Sequence, residues 1–499
     1  MHRALLLPEI VAAIIQSTSS FPGFLHTCLF ISKTFSFEAC RILWYACGAY
    51  CYDGHVSPNI TKLARIVIQD ARRAQYYANF IHVLSFRHVK QEDNKKFLDE
   101  ASWHKELVSL QFPQLQDLSL HRSVYATELN TGDAIIHYAQ PNIETFTMYK
   151  GSCISDSLFE KFTHSCPRLK SLELSSISAS NVSKDGLSRF CNKADALTRL
   201  VIRTGAYDSW SYEAFEAIAR LPKLIYITIP DVQDNWVYSI CNTDSSTIFP
   251  SMEHLDTGMS DQELECLARH VPDLDHLVMD LRNFPPSNNI LASASNFPNL
   301  THLEVNFGAQ NRVSGNDLLL LAQKCTLLEN LSLGGIYDRA VNPSLPGCRP
   351  SSVGINDDLF DEVSRALGAR IVLLRIIFDT SDMLTWQSIL SLAQHCRNLL
   401  DLTISCDIDL QEAMSGTLKH IFPALDALHL VFDDNIREMQ HANDYNEETI
   451  KDSAHRMFDF APRLSRFWIQ GGNDADYRFE ESVMKIFYET WNQAAIVEE

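Results

Sequence analysis

The chain has 499 residues, of which 46% are hydrophobic and 21% are charged, with a formal net charge of −20. These fractions are typical of a globular protein, and no apolar run approaches the ~18–20 residues that a membrane-spanning helix needs. From residue 125 onward the chain carries 29 basic and 52 acidic side chains. Such an acidic surface repels phosphate, which argues against nucleic acid or an anionic membrane as the main partner. The charge serves either solubility alone or the recognition of a basic partner.

The first fifty residues contain three short helical patterns. Pro8 suits the first turn of a helix, and Glu9 suits its positive end. A second apolar run covers residues 24–33, and a third covers residues 39–44. A module of this size has only a marginal core. We therefore expect it either to cap the structure that follows or to bind a partner through its apolar surface.

Residues 51–75 are predicted to form a partly helical connector with a local excess of Lys and Arg. From about residue 76 to residue 470 the chain repeats the pattern L-x-x-L-x-L, and an irregular first copy uses Ile81, Leu84 and Phe86. In the regular copies, ten of the twelve steps between first apolar positions are 22–28 residues long. These positions are Leu115, Ile143, Leu169, Leu197, Leu224, Met252, Leu274, Leu300, Leu328, Ile371, Leu399, Leu425 and Leu464.

The repeated pattern predicts a short strand, because its last two apolar residues alternate and point to one face. Helical runs such as residues 155–165 and 261–270 separate the copies. Strand, helix and strand in the same sense give parallel strands. One copy cannot bury enough apolar surface alone, so neighbours must stack. The pattern resembles the helix-containing leucine-rich repeats, which implies an α/β solenoid with parallel strands on the concave face and helices on the convex face.

Two longer steps interrupt the repeat. We interpret residues 335–357 as a loop-rich insertion because they contain several Gly and Pro residues, and residues 433–448 as an acidic one. After residue 470 the chain has one further helical run, 479–491, which we interpret as a C-terminal cap within residues 471–499.

The thirteen cysteines show neither a C-x-x-C pair nor a zinc-finger spacing. Cys166, Cys325 and Cys396 occupy the slot that Phe112 and Phe297 fill in other copies, so we interpret them as reduced core residues. Reduced cysteines predict a cytoplasmic or nuclear protein. The sequence also lacks a phosphate-binding glycine loop, H-E-x-x-H and G-x-S-x-G. We therefore predict a protein with no enzymatic activity, no catalytic residue, no cofactor and no metal site.

Three histidines recur at one repeat position. His254, His276 and His302 each precede an inward leucine, so alternation directs them to the exposed face of the sheet, beside Asp256 and Glu304. Because neighbouring strands lie ~4.8 Å apart, we expect a ladder of imidazoles. One interpretation is that the ladder contacts a protein ligand or, less readily, binds a metal ion. Alternatively, histidine simply fills an ordinary exposed sheet position there.

Other exposed strand positions extend this candidate substrate face. Arg466 and Trp468 lie in the last copy, and these residue types often anchor protein interfaces. Packing of Trp468 against the core or the C-terminal cap is the alternative.

The segments L-L-P-E-I, L-H-T-C-L-F-I-S-K-T-F and L-W, at residues 6–10, 25–35 and 43–44, resemble the F-box of fungal F-box proteins. An F-box in residues 1–50 followed by leucine-rich repeats is similar to the substrate-recognition subunits of SCF-type cullin ubiquitin ligases. The resemblance implies that the small three-helix F-box docks to a Skp-type adaptor and that the repeats bind the protein substrate. The residues it places at or near the adaptor are Pro8, Ile10, Ile14, Leu25, Leu29, Ile31 and Phe35. The alternative is a leucine-rich-repeat interaction scaffold that joins no ligase.

Overall fold

A computed structural model of the chain describes residues 7–18, 23–48, 60–86, 88–90, 97–99, 104–120, 131–151, 154–177, 182–203, 210–243, 248–282, 284–308, 310–334, 350–380, 384–406, 421–431, 456, 460–470 and 480–485. Within these residues helices and short strands alternate. The helices are α1 Pro8–Thr18, α2 Phe24–Cys28, α3 Lys33–Leu43, α4 Ile60–Gln69, α5 Ala71–Ala78, α6 His104–Leu107, α7 Thr131–Tyr138, α8 Asp156–Ser165, α9 Lys184–Cys191, α10 Tyr212–Ala219, α11 Trp236–Thr243, α12 Asp261–Ala268, α13 Ile290–Ala294, α14 Gly315–Lys324, α15 Asp357–Leu367 and α16 Trp386–His395. No helix in the described part of the chain is long and apolar enough to cross a bilayer.

The strands are β1 Ala46–Cys47, β2 Val83–Phe86, β3 His88–Lys90, β4 Phe97–Asp99, β5 Asp117–Leu120, β6 Thr145–Gly151, β7 Ser171–Ile177, β8 Arg199–Ile202, β9 Tyr226–Thr228, β10 His254–Thr257, β11 His276–Asp280, β12 His302–Asn306, β13 Arg312–Ser314, β14 Asn330–Gly334, β15 Ser351–Val353, β16 Leu373–Ile376, β17 Asp379–Thr380, β18 Asp401–Ser405, β19 Ala427–Val431 and β20 Arg466–Gln470. The chain divides into two compact units. The first unit is Met1–Pro230 with Phe249–Ser251, and the second is Asp231–Ile248 with Met252–Glu499.

In the first unit, seven described strands lie in the order β1, β2, β5, β6, β7, β8, β9, and each neighbouring pair is parallel. The register aligns one inward side chain from each of these strands of three or more residues. These residues are all buried: Leu84, Leu118, Phe146, Leu172, Leu200 and Ile227. A separate antiparallel pair joins β3 and β4.

In the second unit, eight described strands lie in the order β10, β11, β12, β14, β16, β18, β19, β20, and each neighbouring pair is again parallel. Their register aligns the buried residues Leu255, Leu277, Leu303, Leu331, Leu374, Leu402, Leu428 and Phe467. Helices α14, α15 and α16 pack side by side. The prediction of stacked parallel strands with one shared apolar row is confirmed within each unit.

The Pro that precedes several strands has a specific place. The amide of Leu300 donates to the carbonyl of Phe297 at 3.4 Å, which closes a four-residue turn with Pro298 in its second position. Proline fits there because its fixed φ matches the turn. In the third position, the Asn299 side chain donates to the carbonyl of Pro272 in the preceding repeat at 3.0 Å. Asn142 and Asn398 make the equivalent bond in their own repeats, so each of these three turns is joined to the turn of the preceding repeat.

The repeat boundaries differ from the predicted ones in two places. Strand β1 pairs with β2, so the sheet begins at residue 46 and helices α4 and α5 stand between its first two strands, where residues 51–75 were predicted as a connector. At the end of the predicted insertion 335–357, strand β15 forms a small parallel sheet with β13 and β17. Residues 335–349 and 433–448 lie outside the described residues. In the predicted C-terminal cap, residues 480–485 are helical.

The N-terminal module consists of α1, α2 and α3. Its core contains Val11, Ile15, Cys28, Phe35 and Ala39. The second helix ends at Cys28 and the third begins at Lys33, earlier than the sequence pattern suggested. The reason is local: Ser32 is extended and its hydroxyl accepts the Phe35 amide at 3.4 Å, so it caps α3.

Candidate protein-interaction surfaces

The three histidines of the second unit lie in one row on adjacent strands, as the repeat predicts. The ring centroids of His254 and His276 are 5.5 Å apart with planes 29° from parallel. Those of His276 and His302 are 3.9 Å apart with planes 12° from parallel. All three side chains are partly exposed. The row is therefore a stacked imidazole ladder open to solvent.

Polar neighbours fix the orientation of two of these rings. Nδ1 of His276 lies 2.7 Å from a carboxylate oxygen of Asp275, and Nδ1 of His302 lies 2.8 Å from the Thr301 hydroxyl. Burial lowers the pKa of His302, and the neighbouring His276 lowers it further, while Glu329 and Asp275 oppose the shift. His302 therefore resists protonation more than a free histidine does.

The carboxylates predicted beside the ladder lie on the same two outer strands. Asp256 and Glu304 both align with Val278 of the middle strand, one from each side. Glu304 is exposed and accepts a hydrogen bond from the Asn306 side chain at 2.9 Å. The structure therefore brings the histidines and both carboxylates into one patch that offers imidazole and carboxylate groups to a polar partner.

Arg466 and Trp468 do not belong to that patch. The register places Arg466 five strands from His302, which at ~4.8 Å per strand is about 24 Å. The Arg466 guanidinium donates to Asp426 at 2.7 Å and lies 6.0 Å from the centre of the Trp468 ring, which is partly exposed. The candidate substrate face is thus two separate patches on one sheet.

The N-terminal module exposes some of the seven residues that the F-box resemblance singled out and buries others. Pro8, Ile10 and Ile31 are exposed, while Ile14, Leu25 and Leu29 are partly buried. Phe35 is only 6% exposed and belongs to the module's core. Its ring faces the other helices because Ser32 starts α3 there, so a direct contact between Phe35 and a partner is not supported.

Sequence reasoning missed the most exposed aromatic residue in the described part of the module. Phe30 is 78% exposed, in the turn between α2 and α3. It lies on a groove of about 470 Å³, which is lined by Leu29, Phe30, Ser32, Lys33, Ser36, Phe37 and Tyr76. Phe37 packs edge-on against Phe80 with ring centroids 5.2 Å apart, and Tyr76 does the same at 5.1 Å. The signal in the sequence was the unbroken run Leu29-Phe30-Ile31, which cannot all face one core.

The parallel repeat strands, the shared buried rows and the helical crossovers define the class: this is a leucine-rich-repeat fold. No protein-family model matches the chain, and no curated protein matches it. Among solved structures, the chain is similar to one described as a complex of Rad7 and Elc1 in yeast, with 13% identity over 86% of this chain and 93% of that chain and a TM-score of 0.42. It is also similar to the leucine-rich repeat-containing protein LegL7 from Legionella pneumophila, with 10% identity over 68% of this chain and 98% of that chain and a TM-score of 0.34.

Proposed function

We propose that the chain is the non-catalytic substrate-recognition subunit of an SCF-type cullin ubiquitin ligase. The N-terminal module docks to a Skp-type adaptor, and the repeats hold a protein substrate for a separate ubiquitin-transferring enzyme. The protein acts in the cytoplasm or the nucleus and requires no cofactor for this role. The protein accelerates ubiquitin transfer by tethering the substrate, which raises the effective concentration of the substrate at the enzyme.

The observation that carries the proposal is the apolar surface of the module. Phe30, Ile31 and Ile10 are 78%, 46% and 38% exposed, although the core of the module lies only a few residues away. Burying such side chains in an interface would contribute roughly 1.5–3 kcal/mol for each. The F-box-like sequence of residues 6–44 supports a Skp-type adaptor as the protein that covers them.

The substrate-binding role of the repeats is supported by the exposed sheet face of the second unit. The ladder His254, His276 and His302, with Asp256 and Glu304, offers polar side chains on a rigid parallel sheet. Rigid strands present such groups with little loss of conformational entropy on binding. A protein segment with exposed charged or hydrogen-bonding groups suits this patch.

Co-purification with a Skp-type adaptor tests the docking step. The wild-type chain should retain the adaptor, whereas the double variant Phe30→Asp with Ile31→Asp should lose at least about tenfold in affinity, because two charges enter an apolar interface. Ile68→Asp is the matched control, since Ile68 is 66% exposed on α4 and does not line the groove. Circular dichroism should be unchanged in all three proteins.

Two outcomes would contradict the ligase role. If the wild-type chain retains no adaptor, the interaction scaffold outside a ligase is the better description. If Ile68→Asp weakens retention as much as the double variant, the contact is nonspecific apolar association and the proposed docking surface is wrong.

A further inference from the structure

Two cysteines and a histidine of the second unit lie close together. Cys241 is on α11, Cys266 is on α12, and His270 follows the end of α12. One ligand atom from each, either a sulfur or an imidazole nitrogen, lies within 4.8 Å of the other two. Among the described residues this is the one group of its kind that meets that distance.

The fold explains why these residues meet. Helices α11 and α12 belong to consecutive repeats and pack against each other, so residues one repeat apart lie on facing surfaces. Cys266 and His270 are four residues apart, and His270 lies in the turn that ends α12, where its amide donates to the Leu267 carbonyl at 2.9 Å. The Glu263 carboxylate on α12 accepts the Val237 amide at 2.7 Å, which fixes the first turn of α11 against α12.

The chemistry of the three groups is that of a soft cation site. Thiolate sulfur and neutral imidazole nitrogen are the ligands that zinc prefers among protein side chains. A divalent cation stabilises the thiolate form of such ligands, because its own charge outweighs the neighbouring negative charges.

We propose that Cys241, Cys266 and His270 bind one thiophilic divalent cation of the Zn²⁺ type. Binding displaces the thiol protons of both cysteines to solvent, and a water completes a tetrahedral shell. Zn–S bonds of ~2.3 Å place two tetrahedral sulfur ligands ~3.8 Å apart, so small side-chain rotations suffice. His270 is exposed, which leaves its ring free to turn toward the cation and leaves the fourth position open to water.

Titration of the reduced, full-length protein with Co²⁺ tests the site. Cobalt bound to thiolate gives an intense charge-transfer band in the near ultraviolet, which water or carboxylate ligands do not give. We expect one equivalent to produce this band and Zn²⁺ to abolish it. Cys241→Ser and Cys266→Ser each keep one thiolate and should show at most about half of the band, the double variant should lose it, and His270→Ala should keep a band but bind about tenfold or more weakly.

Matched controls separate the site from general thiol chemistry. Cys325→Ser keeps a donor toward the Phe297 carbonyl, to which the Cys325 thiol donates at 3.6 Å, and His164→Ala removes another exposed histidine. Both should bind Co²⁺ as the wild type does.

In the wild type, Zn²⁺ should also protect Cys241 and Cys266, but not a cysteine outside the site, from alkylation as read by mass spectrometry. This measurement does not depend on any variant folding.

Three results would overturn the proposal. One is the absence of a thiolate–cobalt band from reduced wild-type protein. Another is a band of wild-type intensity in both serine variants. The third is a Cys241–Cys266 disulfide that forms with a mild oxidant while Co²⁺ and Zn²⁺ have no effect, which would make the pair a redox couple instead.

Discussion

The imidazole of His276 lies almost flat on that of His302, with ring centroids 3.9 Å apart on neighbouring parallel strands. Two rings at this distance are hard to protonate together, because their charges would repel each other. Burial together with this neighbour lowers the pKa of His302. The protonation of His302 therefore depends on the folded state.

We expect the free energy of unfolding to depend on pH through His302. Its folded pKa lies below its ordinary value of 6.5, so the unfolded chain takes up a proton first as the pH falls. His302 therefore contributes its full stabilisation above pH 6.5. That contribution falls as the pH drops below 6.5 and is lost once the pH is below the lowered folded pKa. His302→Asn should lose less stability than the wild type in that window. Asparagine suits the position because Asn330 fills it on the next strand.

Urea unfolding at about pH 7.5 and about pH 5.5 measures this difference. The wild type should lose more stability than His302→Asn between the two conditions. Equal losses would mean that His302 titrates alike in the folded and unfolded chains, and the coupling through the stack would be wrong.

We expect His104, in the first unit, to change the pH dependence of stability more than His302 does. His104 is 1% exposed and stacks on Phe86 with ring centroids 4.0 Å apart. Burial lowers its pKa to about 4, so stability is lost as the pH falls from 6.5 toward 4. The full loss corresponds to roughly 3 kcal/mol. Chemical unfolding at a series of pH values measures this effect. The stability of the wild type should fall progressively relative to that of His104→Leu within this range, and the difference between the two should be constant above it. A stability difference that stays constant over the whole pH range would contradict a buried His104 that remains neutral.

The repeat rows could be predicted because burial on a strand follows strict alternation. Leu118, Leu303 and Leu428 belong to one sequence pattern, and their buried environments follow from that pattern alone. The histidine stack could be predicted for the same reason, because register fixes which residues are neighbours. Periodic positions transfer from one repeat to the next without knowledge of the tertiary structure.

Features that depend on contacts between repeats could not be found by local patterns. Cys241 and Cys266 are a repeat length apart, so a search for short cysteine spacings passes over them. The burial of Phe35 depends on where Ser32 starts α3, which is a side-chain contact and not a periodicity. The small sheet of β13, β15 and β17 joins short segments from three repeats, each too brief to show alternation. Tertiary packing decides all three.

A positive backbone angle makes Gly48 a sensitive position. Its φ is +76°, and an added Cβ would collide with the Ser85 carbonyl oxygen. Gly48→Ala should therefore destabilise the first unit by more than the ~1 kcal/mol that a positive φ alone costs. Gly354→Ala is the matched control, since Gly354 has φ +68° with open space around it. Thermal unfolding should show the larger loss for Gly48→Ala, and equal losses would mean that the steric contact with Ser85 relaxes freely.

The last prediction concerns the junction between two repeat helices. The Asp357 carboxylate at the start of α15 accepts the Thr385 amide at 3.0 Å and the Thr385 hydroxyl at 2.6 Å, and it also accepts the Ser388 hydroxyl. Asp156 makes the same pair of bonds to Ser183 in the first unit. The carboxylate therefore ties the first turn of one helix to the cap of the next.

Asp357→Ala should destabilise the second unit by roughly 1–3 kcal/mol, because the buried Ser388 hydroxyl and the exposed Thr385 amide and hydroxyl lose their acceptor. Asp358→Ala is the control: it removes the same charge from the same helical turn but at an exposed position, so it tests the helix-dipole contribution alone, typically 0.3–1 kcal/mol. Hydrogen exchange of α16 provides the local measurement. Faster exchange in Asp357→Ala than in Asp358→Ala supports the junction, and equal exchange in the two variants would show that only charge at the helix terminus matters.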